Sequence, residues 1–137
     1  MPLQLRDRSH IVVVDTHPRD YRGLTVQAGE QGWNLHFLTR GRAALQFGAW
    51  NSVDLWLINS QLPDFCGIEL LRMLHERVAT SRVFIVADEY DVLQERAACA
   101  FGVGSYLCKG PGRTLDCTAL LQSFRGKCYS REPTGDP

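Results

Sequence analysis

Five short apolar runs, each followed by a stretch of helical length, constrain this chain more than any other feature. Residues 11–14 (Ile-Val-Val-Val) are continuously apolar and β-branched, and comparable runs recur at 34–38, 54–58, 82–86 and 105–108. Segments at 18–31, 42–50, 66–77, 91–101 and 113–124 are long enough for helices. Strands that read as unbroken apolar runs are buried on both faces, and strict β-then-α alternation supplies the covering helices. The pattern therefore predicts a doubly wound α/β fold around a parallel sheet. Pro18 marks the start of the first helix and Gly32 its end, while the interior Gly23 and Gly29 each cost about 1 kcal/mol against alanine. That helix must rely on packing through Leu24 and Ala28. The third helical segment is the clearest amphipath, with Ile68, Leu71, Leu74 and Val78 on one stripe and Glu69, Arg72 and Glu76 away from it.

The chain divides into an N-terminal extension at 1–9, a domain at 10–125 and a tail or linker stub at 126–137, which holds two glycines and two prolines with almost no apolar surface. Lysine plus arginine balance aspartate plus glutamate at 15 each, so no net field is available to hold a polyanion or an anionic membrane surface. We expect no nucleic acid and no membrane among the partners of this domain. The start of the chain carries no apolar targeting segment and no run approaches the roughly 18 apolar residues of a membrane span, so the expected location is cytoplasmic. Five cysteines (Cys66, Cys99, Cys108, Cys117, Cys128) form no Cys-x-x-Cys pair. We expect reduced, mostly buried thiols, with Cys108 turned into the core as the last residue of the fifth strand. His10, His17, His36 and His75 are expected to share no register that would bring ring nitrogens onto one metal.

The polar residues gather at one end of this pattern. In an open α/β sheet, ligands bind beyond the carboxyl ends of the strands, where strand order reverses. Asp15 and Thr16 follow the first strand, Asn59 the third, Ala87 and Asp88 the fourth and Lys109 the fifth, so all converge on one rim. Asn59 stands four residues before Pro63 and eight before Gly67. No glycine-rich phosphate cradle follows the first strand, and no Ser/His/Asp or Cys/His set can be assembled, so we expect no enzyme.

Through Val14-Asp15, the stretch from Asp54 to Pro63 with Gly67, and the stretch from Gly102 to Lys109, residues 10–125 resemble the receiver domains of response regulators, the CheY-like family. The resemblance implies a flavodoxin-like sheet of five parallel strands in the order 2-1-3-4-5 and a place in two-component signal transduction and phosphorelay. It also implies that Asn59 occupies the position of an aspartate phosphorylated by a histidine kinase. A neutral amide oxygen lacks the charge and basicity to attack phosphorus. Two acidic residues after the first strand would hold Mg²⁺ together with that aspartate. Here Asp15 remains and Thr16 stands in place of the other, so Mg²⁺ binding is expected to be weak or absent and no cofactor is expected. Ala87 replaces the hydroxyl of the switch position, Tyr106 matches the switch aromatic and is expected to hold one orientation, and Asp88 and Gln61 lie on the pocket rim. Lys109 matches the family lysine and is placed to bridge Asp15 to the amide oxygen of Asn59. Gly110 follows where the family has proline, so a trans bond is expected at 109–110, a cis one costing roughly 2.5–4 kcal/mol.

Joint loss of nucleophile, metal ligand and switch residue points to a pseudo-receiver, a protein-interaction or regulatory module independent of aspartyl phosphorylation. Its partner would be another protein or an output domain, or a second copy through the face of the fourth helix, fifth strand and fifth helix, where Leu93, Arg96 and Tyr106 are candidate contacts. Two alternatives stay open: phosphorylation at a non-standard acceptor such as Ser60 or Asp88, and a flavodoxin-like ligand-binding domain.

Overall fold

Each apolar run forms a strand, and the charged residues beside the runs set the ends. The strands are β1 (His10–Val14), β2 (Asn34–Leu38), β3 (Leu55–Asn59), β4 (Val83–Ala87) and β5 (Ser105–Cys108). The computed structural model describes residue 5 and residues 8–115, so the tail and residues 116–124 of the expected fifth helix lie outside the described residues. All neighbouring strands pair in parallel, in the order β2-β1-β3-β4-β5. β3 and β4 begin one residue later than their apolar runs and extend one residue further. Asp54 is thereby left just before the amino end of β3, where its carboxylate accepts from the His10 amide at 2.7 Å, and Asn59 becomes the last residue of β3.

The connections are α1 (Arg22–Gln31), α2 (Gly41–Trp50), α3 (Gly67–Leu74) and α4 (Val92–Ala100). The segment from Pro18 opens as a 3₁₀ turn, Pro18–Tyr21, and only then becomes α1, which ends at Gly32 in the left-handed region (φ 75°). Leu24 and Ala28 are the buried residues of α1, as expected. The stripe of α3 is centred differently from the expectation: Leu70, Leu71 and Leu74 are fully buried, whereas Ile68 and Val78 are half-buried. Arg113 closes a further 3₁₀ turn, Pro111–Arg113, rather than starting a helix.

Alternation along the strands divides the core into two layers. Ile11, Val13, Leu55, Leu57 and Val86 face Tyr21 and Leu24 on one side of the sheet. Val12, Val14, Trp56, Ile58 and Ile85 face Ala44, Leu70, Leu71 and Ala98 on the other. Full burial of each aliphatic side chain contributes about 1.5–3 kcal/mol, and the central strands β3 and β4 are buried along their whole length. The edge strands are only half covered, and that corrects the expectation for the cysteines. Cys108 is exposed because it ends edge strand β5, and Cys66 and Cys99 are exposed as well, so the described thiols are not core residues. His10 and His36 lie on paired strands, with His36 opposite Val12, and their rings stack with Nδ1 of His10 3.1 Å from Nε2 of His36. Parallel pairing of β1 with β2 gives them the shared register that the linear sequence hides. Burial first, and His10 second, lower the His36 pKa below the usual imidazole value. No helix among the described residues is long and apolar enough to cross a membrane.

Candidate functional site

The carboxyl ends of β1, β3, β4 and β5 converge as the strand order requires, and backbone contacts fix their spacing. The amide of Asp15 donates to Leu38 at 2.9 Å, that of Ser60 to Val86 at 2.8 Å and that of Lys109 to Ala87 at 2.9 Å. Gly67, the first residue of α3, lies hard against the end of β3: its amide donates to Ser60 at 2.8 Å, and a Cβ there would collide with the Asn59 carbonyl and the Ser60 Cα. Glycine is required by that close approach, which is the physical content of the spacing from Asn59 to Gly67.

Asp15 is the hub. It is 1% exposed, and its Oδ2 accepts from the Tyr21 hydroxyl at 2.7 Å, from Nδ2 of Asn59 at 2.9 Å and from Nζ of Lys109 at 2.9 Å, while Oδ1 accepts from the His17 amide at 2.9 Å. Asn59, 2% exposed, uses its amide completely. Its Nδ2 donates to Asp15 and also to Oδ1 of Asp88 at 3.0 Å, and its Oδ1 accepts from the Gln61 amide at 2.8 Å. The expected bridge from Lys109 to the amide oxygen does not form, because that oxygen is turned toward the backbone after β3.

Lys109 instead sits among three carboxylates. Its fully buried Nζ lies 2.9 Å from Asp15, 2.7 Å from Oδ2 of Asp20 and 2.8 Å from Oδ1 of Asp88. The same ammonium lies 5.5 Å from the centre of the Tyr21 ring. Burial acts to lower the Lys109 pKa, but the three carboxylates outweigh it and hold the ammonium above its usual value. Tyr21 moves the same way, its phenol pushed well above the ordinary range by burial and then by the Asp15 charge.

Asp20 is the functional residue that linear reasoning missed. It stands in the 3₁₀ turn five residues after Asp15, and that turn carries Asp20 and Tyr21 back over the rim. Thr16, by contrast, is exposed and its hydroxyl meets Nδ1 of His17 at 3.0 Å, outside the buried network. Asp88 is a paired member of the cluster, reached by both Lys109 and Asn59, and it also lines the cavity mouth. Ala87 is buried and offers no hydroxyl. Tyr106 is half-buried; its hydroxyl accepts from the Asp91 amide at 3.2 Å and lies 3.3 Å from Oε1 of Gln94, and its ring meets Tyr90 edge-on at 6.0 Å. The bond between Lys109 and Gly110 is trans, as expected.

Above this cluster opens a cavity of about 370 Å³ whose lining includes Asn59, Gln61, Asp88, Glu89, Asp91 and Gln94. Three of the lining side chains are carboxylates and none is cationic. Among the described residues, no group of three or more His, Cys, Asp or Glu side chains has the arrangement of a metal site.

A family model described as the response regulator receiver domain matches residues 11–116. The chain is 26% identical over 125 residues to the transcriptional activator protein ExaE of Pseudomonas putida, covering 90% of this chain and 58% of that protein. It is 28% identical over 100 residues to the TorCAD operon transcriptional regulatory protein TorR of Escherichia coli (strain K12), covering 73% of this chain and 43% of that protein. The chain thus spans about half the length of these curated relatives. Among solved structures, the signal receiver domain of an HD domain-containing protein from Pseudomonas fluorescens Pf-5 superposes with a TM-score of 0.74 at 26% identity, covering 90% of this chain and 96% of that one.

Proposed function

This chain belongs to the response regulator receiver domain family of two-component signalling, and from that premise we propose that it is a pseudo-receiver, a non-enzymatic module whose output does not depend on aspartyl phosphorylation. One observation carries the reading: the side chain at the centre of the site, Asn59, is a neutral amide with every polar atom hydrogen-bonded, donating to Asp15 and Asp88 and accepting from Gln61. Such a group has no anionic oxygen to attack phosphorus. An anionic phosphodonor would also approach through a cavity lined by Asp88, Glu89 and Asp91, where like charge repels it.

The family implies Mg²⁺, and the residues present do not fit it. Lys109 Nζ lies within hydrogen-bond distance of Asp15, Asp20 and Asp88, in the centre that a divalent cation would need. The ammonium already neutralises part of the charge for which such a cation would compete. The partner is a protein, and the start of α4 is the surface to offer it, since Tyr90, Val92 and Leu93 are 58%, 46% and 71% exposed.

A second reading has one specific support. Asp88 lines the cavity and pairs with Lys109, so it is the carboxylate nearest to the role of an alternative acceptor. One experiment separates the two readings. The protein is incubated with acetyl phosphate and Mg²⁺, and its intact mass is followed. The pseudo-receiver reading expects an unchanged mass. A stoichiometric phosphate adduct overturns it, and peptide mapping of that adduct to Asp88 or Ser60 would establish the alternative acceptor.

A further inference from the structure

The outer pair of strands brings together two ring nitrogens that the acidic rim does not use. His10 opens β1 and His36 lies in the middle of β2, and parallel pairing sets His10 opposite Asn34 and His36 opposite Val12. The two histidines are therefore diagonal neighbours. Alternation along β1 and β2 puts both side chains on the face of the sheet that carries Val12 and Val14. Their rings lie within 16° of parallel with centres 5.4 Å apart, and Nδ1 of His10 stands 3.1 Å from Nε2 of His36. One nitrogen of the pair donates its hydrogen to the lone pair of the other.

That spacing has a second use. Imidazole nitrogens bind a transition-metal ion at about 2.0–2.1 Å, so two of them on one ion stand roughly 2.9 Å apart when their bonds meet at a right angle and roughly 3.4 Å apart at the tetrahedral angle. The 3.1 Å separation falls between these limits. An ion can thus take the place of the shared hydrogen after small rotations of the rings, without movement of the backbone. The donating ring then carries its hydrogen on its outer nitrogen, and two neutral imidazoles bind without net release of a proton. The frame around them is fixed from both sides. Asp54 holds the backbone of His10, its carboxylate accepting from the His10 amide at 2.7 Å and its own amide donating to the His10 carbonyl at 2.8 Å. Phe47 of α2 packs on the ring of His36, with centres 5.0 Å apart. His10 is exposed and His36 half-buried, so solvent reaches the pair.

We infer that His10 and His36 form a chelating site for one divalent transition-metal ion of the Ni²⁺, Cu²⁺ and Zn²⁺ class, bound through Nδ1 of His10 and Nε2 of His36 with water in the remaining positions. Imidazole selects these ions over Mg²⁺ and Ca²⁺, which take oxygen ligands. An ion held by both rings ties edge strand β2 to β1, and because the unfolded chain does not hold the two rings together, binding favours the folded state. The site is separate from the Asn59 cluster, so its occupancy stands or falls independently of the function proposed above.

The test adds Ni²⁺ to full-length, tag-free ¹⁵N-labelled protein and follows the imidazole signals of the four histidines by NMR. Exposed thiols at Cys66, Cys99 and Cys108 are competing ligands, so the histidine signals decide, not total uptake of the ion. Paramagnetic Ni²⁺ below one equivalent should broaden the ring signals of His10 and His36 before those of His17 and His75. Thermal melts at a free Ni²⁺ concentration 100 times Kd should show a rise of about 10 °C in Tm. His10→Gln and His36→Gln should each weaken Ni²⁺ binding by about tenfold or more, while His75→Gln leaves it unchanged. Broadening that spares His10 and His36, or reaches all four histidines together, overturns the inference in the wild-type protein, whatever the stability of the variants. So does undiminished binding by both variants, or displacement of Ni²⁺ from these rings by an equal concentration of Mg²⁺.

Discussion

Placing an acidic residue at the centre of the site, Asn59→Asp, should destabilise this protein, because the amide is a donor to two carboxylates. Its Nδ2 lies 2.9 Å from Asp15 and 3.0 Å from Asp88, so a carboxylate in its place converts two attractive contacts into two repulsive ones. Coulomb's law at an effective dielectric constant of about 20 gives roughly 4 kcal/mol for like charges 4 Å apart. Asp15 cannot retreat, being fixed by Tyr21, His17 and Lys109, whereas the more exposed Asp88 can turn outward. Relaxation of Asp88 and the nearby Lys109 ammonium offset part of the repulsion, leaving about 3 kcal/mol net at pH 7. For a domain of this size that corresponds to a fall of about 10–12 °C in Tm. The sign with pH follows from the same repulsion. The new carboxyl would have its folded pKa raised above the unfolded value of about 3.9, so the penalty is small below that value and grows as pH rises through the folded pKa. Urea unfolding of wild type and variant between pH 4 and pH 7.5 measures both magnitude and slope. A variant as stable as wild type at pH 7, with a gap independent of pH, would refute the account of Asn59 as an obligatory donor.

Lys109→Met leaves Asp15, Asp20 and Asp88 without their shared cation and should cost about 3–5 kcal/mol, and Asp15→Asn in the same chain should recover part of the loss; additive effects in that double-mutant cycle would contradict a shared cluster. Tyr21 and Lys109 both hold their protons more tightly folded than unfolded, so their contribution is complete below about pH 10 and is lost as pH rises above it. Thermal melts followed by circular dichroism from pH 9 to 11 should show falling Tm, with a shallower fall in Tyr21→Phe, and a flat profile would exclude the linkage. Gly67→Ala places a methyl group against the backbone at Asn59 and Ser60, which cannot yield as a flexible side chain would, so a loss of about 1–3 kcal/mol is expected in chemical denaturation.

The strands and their order were legible because buried parallel strands declare themselves as apolar runs, and because helical segments between them force crossover connections. Asn59, Asp15 and Lys109 were legible for a related reason: residues that end parallel strands share one rim. Asp20 was not, since its place depends on a 3₁₀ turn folding back five residues after Asp15, and the sequence 15–21 reads equally well as the start of a helix. The exposure of Cys108 depends on β5 being an edge strand at its last residue, and the meeting of His10 with His36 on the register of β1 against β2. These are properties of pairing, which no window along the chain contains. The indole of Trp56 is a similar case: its burial was predictable from β3, but not the absence of an acceptor for its N–H among the described residues.

The expectation that the site had fallen to one carboxylate missed where the charge went. Asp15, Asp20 and Asp88 all lie around Lys109, and the group at the strand end between them is the amide of Asn59. An anionic oxygen at that point would add a fourth negative charge and make the pocket dependent on a cation; an amide supplies donors and makes the pocket complete in itself. The resulting network joins β1, β3 and β5 with the turn before α1 and the loop after β4 through hydrogen bonds of 2.7–3.0 Å. A two-state switch needs a group whose partners change when it is modified. At this centre the donors and acceptors of Asn59 are already matched, and Ala87 gives Tyr106 no hydroxyl through which to sense a change. On the pseudo-receiver reading proposed above, the residues matched around Asn59 would also hold the rim in one arrangement, which is the property a constitutively recognised surface requires.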